Sequence, residues 1–305
     1  METIRIGVAH RGAGLAPVFA AIECGALHRA GLRAELVDTP GHPAALAALL
    51  AGEVDVVNTV GPELLRANHR HRGDAVVVAS AISRTAVQIA ARPGIATRDA
   101  LRGGRFACVE PGDPDCCSVW VACAVWGWDF ARDATMVPVG TRSLGRLLDA
   151  KRVDAAILHA PEPFQAPRHG WHVVEDTARH DVPFQNSCAA TTRRMLAARP
   201  DAVRRYVRAY LEGVWRFRTD AAFGMAVLRA MTAETDDVLE ASWLLFARAM
   251  TGMGFPSLSG LREAARALRA LGVLPEGVDG QAALEMGVVA GLEADGQFAA
   301  IMRPG

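Results

Sequence analysis

The sequence contains almost no lysine and has no net charge. Lysine and arginine together number 33, as do aspartate and glutamate, and Lys151 is the only lysine. A balanced charge creates no field that would attract nucleic acid or an anionic membrane, so we expect neither as a partner. We do not expect Schiff-base chemistry either, because Lys151 lies near the end of a predicted surface helix.

Signals for metal sites and membrane spans are also missing. The six cysteines form no CxxC pair, which gives little support to a structural zinc site or a disulfide scaffold. No run approaches 18 apolar residues, so no membrane span is expected. The chain starts METIRIGVAH, without a leader segment. We expect no metal and no cofactor, and either a cytoplasmic location or a periplasmic one if a leader has been removed.

Short β-branched runs alternate with alanine- and leucine-rich runs over the first 190 residues. The predicted strands are Ile4–Val8, Ala34–Val37, Val54–Asn58 and Ala75–Ala79 in a first unit, and Phe106–Val109, Thr135–Val139, Ala155–His159 and Trp171–Val174 in a second. The helices predicted between them are Pro17–Ala30, Ala44–Ala51, Pro62–Asn68, Pro114–Gly127 and Leu144–Lys151. This alternation predicts parallel sheets covered by helices on both faces.

From Thr192 onward, apolar residues three and four apart predict a helical tail. Its predicted helices are Arg193–Phe217, Asp236–Met250 with Thr235 as N-cap, and Leu261–Leu271 with Ser259 as N-cap.

Two extended segments, residues 79–92 and 183–192, would take the chain out of the first unit and back into it. This double crossing predicts a two-lobed α/β fold. Lobe 1 would comprise residues 1–85 and 187–305, and lobe 2 residues 86–186. The ends of strands from both lobes would then meet at one cleft, where open α/β sheets bind ligands.

Four stretches of sequence also resemble a known family. They are PVFAAIECGALHRAGLRAELVD, ALLAGEVDVVNTVGPELLRA, ATRDALRGGRFACVEPGDP and LLDAKRVDAAILHAPEP, followed by a helix containing ARPDAVRRYVRAYLEGVW. Over residues 4–270 the chain resembles the bacterial substrate-binding proteins of ABC importers for nitrate, alkanesulfonates, taurine and thiamin pyrimidine precursors. The resemblance implies the type II periplasmic-binding-protein fold, with a double hinge. It also implies a sulfonate, carboxylate or pyrimidine-like ligand and an ABC permease as partner.

Enzymes on the same fold provide an alternative hypothesis, a cytoplasmic lyase or hydrolase acting on a small aromatic or heterocyclic substrate. The sulfinate desulfinases have a nucleophilic cysteine in the loop after the first strand, whereas this loop reads AHRGAG. The thiamin-pyrimidine synthases have a substrate histidine after the third strand, where this sequence reads NTVGPE. Neither chemistry transfers, so we expect a binder rather than an enzyme.

Polar residues follow the predicted strands of lobe 1 and the crossing segments. Helix N-termini, an arginine and exposed backbone in such loops are suited to an anionic or polar ligand. The plain alternatives are helix capping and solvent exposure. The candidate ligand contacts in these segments are His10, Arg11, Gly12, His42, Asn58, Thr59, Gly61, Ser83 and Asn186.

The corresponding loops of lobe 2 supply carboxylates, a histidine and two cysteines. The candidate ligand contacts are Asp113, Asp115, Cys116, Cys117 and His159. The enzyme hypothesis would use His10, Cys116, Cys117, His159 and Glu162 for catalysis. The carboxylates are better suited to a cation or a ring nitrogen than to an anion, so the charge of the ligand stays open.

The adjacent cysteines allow several interpretations. Asp113 and Pro114 predict an N-cap and a first helical residue, which places both cysteines in the first turn. A helix N-terminus lowers a thiol pKa, while the neighbouring aspartates oppose this effect. One cysteine would continue the apolar face of the helix and the other would face the cleft. Structural, ligand-lining, catalytic, metal-binding and redox roles all stay open.

Overall fold

The computed structural model describes residues 1–9, 12–140, 152–250 and 253–302. Its strands are β1 (Glu2–Val8), β2 (Leu32–Asp38), β3 (Val56–Thr59), β4 (Ala75–Ser80), β5 (Gln88–Ala91), β6 (Gly104–Cys108), β7 (Ala134–Pro138), β8 (Ala155–Leu158), β9 (His172–Asp176) and β10 (Cys188–Thr192). Every strand predicted from the sequence is present, with ends that differ by a few residues. The predicted helix Leu144–Lys151 lies outside the described residues.

The helices of the first 190 residues fill the connections between strands. They are α1 (Ala16–Glu23), α2 (Ala26–Arg29), α3 (His42–Ala51), α4 (Gly61–His71), α5 (Pro114–Trp126), α6 (Phe130–Asp133) and α7 (Glu162–Gln165). The single helix predicted over Pro17–Ala30 is wrong. Gly25 has a φ of +71°, a left-handed conformation that ends α1 and starts α2.

The C-terminal part is helical, as predicted. Its helices are α8 (Arg193–Ala198), α9 (Pro200–Thr219), α10 (Ala221–Met231), α11 (Asp236–Ala249), α12 (Leu258–Ala270), α13 (Gly287–Ala294) and α14 (Gln297–Ile301). The predicted helix Arg193–Phe217 is interrupted because Pro200 starts a new helix and disfavours helical backbone at Arg199. The cap predicted at Ser259 is wrong, since the Ser257 hydroxyl accepts the Gly260 N–H. Thr235 occupies the N-cap position of α11, but its side chain makes no capping hydrogen bond.

The strands form two five-stranded sheets. The first has the order β2-β1-β3-β10-β4 and the second the order β7-β6-β8-β5-β9. Each sheet is mostly parallel but contains one inner antiparallel strand: β10 pairs antiparallel with β3 and β4, and β5 with β8 and β9. Purely parallel sheets were therefore the wrong prediction. Strands β10 and β5 follow the crossing segments, so they enter their sheets from the opposite end.

Two chain crossings connect the sheets, and they pair with each other. The Ala81 and Ile82 N–H groups donate to the Ser187 carbonyl at 2.9 and 3.0 Å, and the Asn186 N–H donates to Ile82 at 3.1 Å. Arg84 and Pro183 form an antiparallel bridge farther along. The chain thus has two lobes joined by a two-stranded hinge. The exact boundaries at 85/86 and 186/187 stay a prediction.

The repeated Val-Asp motif has the same structural role in both lobes. Asp55 accepts the Arg5 backbone N–H at 2.8 Å and also binds the Arg5 guanidinium. Asp154 does the same with Arg105 in the second sheet. Each aspartate therefore fixes the start of its own strand against a neighbouring strand. None of the helices in the described ranges has both the length and the apolar character of a membrane span.

Asp55→Asn should make the protein less stable at neutral pH and less sensitive to acid. Burial raises the pKa of Asp55, but its bonds to Arg5 outweigh this effect and hold the pKa below its usual value. When folding lowers the pKa of a carboxyl group, the ionised group stabilises the fold at pH values above its pKa in the unfolded chain. This stabilisation is lost as the pH falls through its pKa in the folded protein. Urea unfolding should show a loss of about 1–3 kcal/mol at pH 7 and a smaller difference at pH 3. Asp99→Asn, at an exposed ion pair, is the matched control.

Gly260→Ala should destabilise the protein through the hinge. A Cβ at Gly260 would lie 2.5 Å from the Gln185 backbone nitrogen and 2.7 Å from the Phe184 carbonyl carbon. Since backbone atoms cannot move away cheaply, we expect a loss of about 1–3 kcal/mol in unfolding free energy. Gly291→Ala is the control, because its Cβ would meet only the end of the Arg204 side chain. Equal stability of both variants would contradict this account.

Candidate functional site

The carboxyl end of β3 carries a buried amide, Asn58. The Asn58 amide nitrogen donates to the Gly14 carbonyl at 3.1 Å and to the Ser187 hydroxyl at 3.3 Å. Its oxygen accepts the Tyr210 hydroxyl at 2.9 Å. Burial raises the pKa of Tyr210, so the phenol remains a donor. Asn58 thus ties the loop after β1 to the hinge and to α9, and its contact with ligand stays a prediction.

Thr59 and Gly61 follow Asn58 in the chain, but neither uses a side chain to hold the neighbouring loops. The Thr59 side chain is fully buried, and its hydroxyl has no hydrogen-bond partner among the described residues. Gly61 begins α4, and its N–H donates to the Gln185 carbonyl at 2.7 Å. A Cβ on Gly61 would come within 2.8 Å of that oxygen, so the glycine permits the close approach of hinge and helix.

The hinge contains a residue that sequence reasoning missed, the fully buried Gln185. Its amide nitrogen donates to the Ser80 hydroxyl at 2.8 Å, and its amide oxygen accepts the Ser257 N–H at 2.8 Å. The predicted contacts Ser83 and Asn186 lie on the same two strands, half-buried, with their backbone groups in the hinge pairing. The sequence shows only a glutamine inside a predicted extended segment, and its burial became visible in the structure.

Four other predicted residues belong to lobe 1. His10 and Arg11 lie outside the described residues. Gly12 precedes a short helical turn, and its carbonyl accepts the Leu15 N–H at 2.9 Å. His42 is the first residue of α3, whereas the sequence predicted a turn residue before the helix.

The loop between β6 and α5 is held by Asp113, the predicted N-cap. One carboxylate oxygen accepts the Cys116 N–H at 2.9 Å, and the other accepts the Val109 N–H at 2.7 Å. Helix α5 begins at Pro114, so the predicted cap and start are confirmed. Both carboxylate oxygens of Asp113 therefore accept hydrogen bonds from backbone N–H groups, and this fixes the direction in which α5 leaves the sheet.

The structure places neither of the adjacent cysteines on an exposed wall of the cleft. Cys117 is fully buried in an apolar cluster shared with α4 and α12, and Cys116 is only 1% exposed. The Cys116 thiol contacts the Glu110 carbonyl at 3.7 Å. Its hydrogen bond to Cys108, together with burial, raises the Cys116 pKa far above its usual value. Cys117 thus packs against α4 and α12 of lobe 1, whereas the Cys116 thiol contacts Glu110 within lobe 2. Contact of either cysteine with a ligand stays a prediction.

Burial also raises the pKa of Cys117, and the nearby Asp113 adds to the effect. Both cysteines therefore remain thiols at neutral pH, and a thiol is a poor nucleophile and a poor metal ligand. The cysteines are all free within the structure. Among the described residues, no three His, Cys, Asp or Glu side chains come together in a way that would hold a metal ion.

The structure does bring His159 and Asp115 together. Strands β6 and β8 are parallel neighbours, so the loops after them meet at one edge of the sheet. The His159 Nε2 lies 3.1 Å from an Asp115 carboxylate oxygen, and the His159 backbone N–H donates to Glu162 at 3.0 Å. Asp115 is buried, whereas the His159 side chain is 40% exposed. A buried acid therefore orients a ring that is partly exposed.

The tautomer of His159 follows from this contact. A carboxylate only accepts hydrogen bonds, so the Nε2 atom carries the proton that the pair shares. In the neutral ring the Nδ1 atom is then an acceptor. Asp115 orients the imidazole, Glu162 holds the backbone of the same residue, and Nδ1 is the ring nitrogen left for a ligand.

Comparison with known protein families gives a match over two thirds of the chain. Residues 13–219 match the family described as NMT1/THI5 like. The chain belongs to this family. No curated protein matches the sequence.

Solved structures share the fold of this NMT1/THI5-like protein at low sequence identity. The alkanesulfonate-binding protein SsuA from Xanthomonas axonopodis pv. citri, bound to MOPS, is 18% identical with a TM-score of 0.75, covering 93% of this chain and 98% of that one. The periplasmic nitrate-binding protein NrtA from Synechocystis PCC 6803 is 13% identical with a TM-score of 0.76, covering 99% and 91%. The predicted two-lobed periplasmic-binding-protein fold is confirmed.

An enzyme has the same fold. The desulfurization enzyme DSZB is 14% identical to the NMT1/THI5-like protein with a TM-score of 0.68, covering 97% of this chain and all of that one. The fold therefore does not separate binding from catalysis, and the functional argument depends on the site.

Asp115→Ala should release the His159 ring from a single tautomer. The ¹⁵N chemical shifts of the imidazole at pH 8 should show a protonated Nε2 and an unprotonated Nδ1 in the unchanged protein. Without the carboxylate the two tautomers should both be populated. His159→Gln identifies the signal by its disappearance, and the exposed His169 is an internal control. A His159 signal unchanged by Asp115→Ala would contradict the pairing.

Proposed function

We propose that this protein binds a small organic molecule between its two lobes and that closure of the lobes is the functional event. The main support is the His159–Asp115 pair, where the loops after β6 and β8 meet, with the adjacent Ala160 packed into the apolar core of lobe 1. The similarity to sulfonate- and nitrate-binding proteins adds support for a binding role.

The ligand class follows from the chemistry of the described cleft. With Nε2 paired to Asp115, the Nδ1 atom of His159 is left for a ligand, and Asp115 and Glu162 add negative charge beside it. A ring that donates N–H bonds satisfies this acceptor, whereas an anion would face two carboxylates. We therefore propose a pyrimidine-like ligand with an amino group rather than a sulfonate or carboxylate.

Catalysis by the cysteines has less support. The enzyme hypothesis needs a thiolate near a base, but both thiols are buried with raised pKa values. The Nε2 atom of His159 contacts Asp115, leaving Nδ1 for a ligand. A ring held by a buried carboxylate on one side fits the recognition of a ligand without a covalent step.

We also propose an ABC permease as the partner of the loaded protein. The importer proteins that share this fold support the proposal, and a location on the periplasmic side would accompany it. Permease and ATPase genes adjacent to the full gene would agree with import. Neighbouring genes for biosynthetic enzymes would instead favour the enzyme alternative.

A matched ligand panel tests the proposed ligand class. An aminopyrimidine should raise the melting temperature, whereas the same ring without its amino group, an alkanesulfonate and nitrate should not. Titration calorimetry gives the affinities, and mass spectrometry of the incubated ligand detects turnover. Stabilisation by the sulfonate or nitrate alone would overturn the ligand class, and turnover would overturn the binding role.

Two variants of His159 separate its two nitrogen atoms. His159→Gln imitates Nε2 and loses the acceptor at Nδ1, so the affinity for the aminopyrimidine should fall about 10- to 100-fold. His159→Asn imitates Nδ1 and should retain most of the affinity. The reverse order would mean that the ligand contacts Nε2 and that the Asp115 pair breaks on binding.

A further inference from the structure

An ion pair joins the lobes beside the cleft. The guanidinium of Arg66, on α4 in lobe 1, lies 2.5 Å from the carboxylate of Glu110, which follows β6 in lobe 2. Arg66 is buried, whereas the Glu110 side chain is about half exposed. The contact therefore connects a fixed, buried charge in one lobe with a more accessible charge in the other.

A second glutamate keeps Arg66 paired inside lobe 1. Glu63, one turn earlier on α4, places its carboxylate oxygens 3.1 and 3.2 Å from the other terminal nitrogen of Arg66. Glu63 is buried as well. A buried arginine without a partner would be very costly. Because Glu63 neutralises it locally, lobe 2 can move away from Arg66 without leaving a buried charge unpaired.

The surroundings of this pair indicate a closed arrangement of the lobes. Near it, the fully buried Cys117 of α5 packs into the cluster formed by α4 and α12. A separate interlobe contact joins α7 to the segment before α11, where the Gln165 amide donates to Glu234 at 2.6 Å. The strength of apolar contacts between the lobes does not depend on charge. The Arg66–Glu110 pair, in contrast, is weakened directly when the carboxylate is lost.

We propose that the Arg66–Glu110 pair sets the balance between open and closed lobes, with Glu63 making the contact reversible. Arg66 would then influence ligand affinity as a positioning residue, without contacting the ligand. Ligands that bind the closed form bind more weakly when that form is less populated. Only the effect on ligand affinity depends on the proposed binding function, since the balance between open and closed lobes exists without ligand.

Distance measurements on the ligand-free protein test the proposal. The native cysteines are all buried, so spin labels can be attached at Glu35→Cys on β2 and Thr135→Cys on β7, both exposed edge positions. Pulsed dipolar spectroscopy then reports the distance populations between the lobes. Glu110→Gln should shift the open-to-closed ratio about five- to tenfold toward open. Raising NaCl to 1 M should shift the unchanged protein in the same direction and the variant much less.

The controls separate this effect from a loss of stability. Asp236→Asn removes an ion pair with Arg229 within lobe 1, at 2.7 Å, and should leave the distances unchanged. Arg66→Lys keeps the charge and should lie between the unchanged protein and Glu110→Gln. Identical distance populations in Glu110→Gln and Asp236→Asn would overturn the proposal. That result would not change the outcome of the ligand panel. Failure of the proposal for the Arg66–Glu110 pair and failure of the binding function are therefore distinguishable.

Discussion

The pairing of the two crossing segments is the constraint on which the candidate site depends. Residues 81–85 and 182–187 form a short antiparallel ribbon between the sheets. Gln185 anchors this ribbon to lobe 1 through the first residue of α4, the N-cap of α12 and Ser80. Two glycines, Gly61 and Gly260, allow the helices to approach it closely. The ribbon thereby fixes where lobe 1 presents the end of β3 to lobe 2.

The polar groups of the site divide into those that hold the loops and those that remain accessible. Asn58 and Asp113 use their side chains on neighbouring backbone and hydroxyl groups. Both side chains are buried, and they are hydrogen-bonded because a buried polar group without a partner would be costly. His159 differs, since one ring nitrogen is oriented by a buried acid while the ring remains partly exposed. The buried Asp115 thus supports the His159 ring, which is the accessible group of the pair.

Local sequence signals predicted the elements well where short-range physics decides them. Asp113 and Pro114 gave the correct start of α5, because capping involves only the next few residues. Periodicity overlooked the left-handed residue at Gly25 and the new helix at Pro200, since both breaks fall inside apolar runs. The cap at Ser259 missed by two residues. The antiparallel direction of β5 and β10 depends on how the crossings enter the sheets, which no local pattern contains.

By itself the sequence determined the alternation of strands and helices and the Val-Asp motif at equivalent strands, and it predicts which loops face the cleft. These features follow from neighbouring residues, since side-chain spacing and capping act over a few positions. Tertiary structure alone decided that Cys116 and Cys117 are both buried, that His159 meets Asp115 and that Arg66 meets Glu110. These contacts join residues 44 positions apart in each pair. These contacts form only when whole helices and sheets pack together. The spacing of neighbouring residues in the sequence does not encode which distant residues then meet.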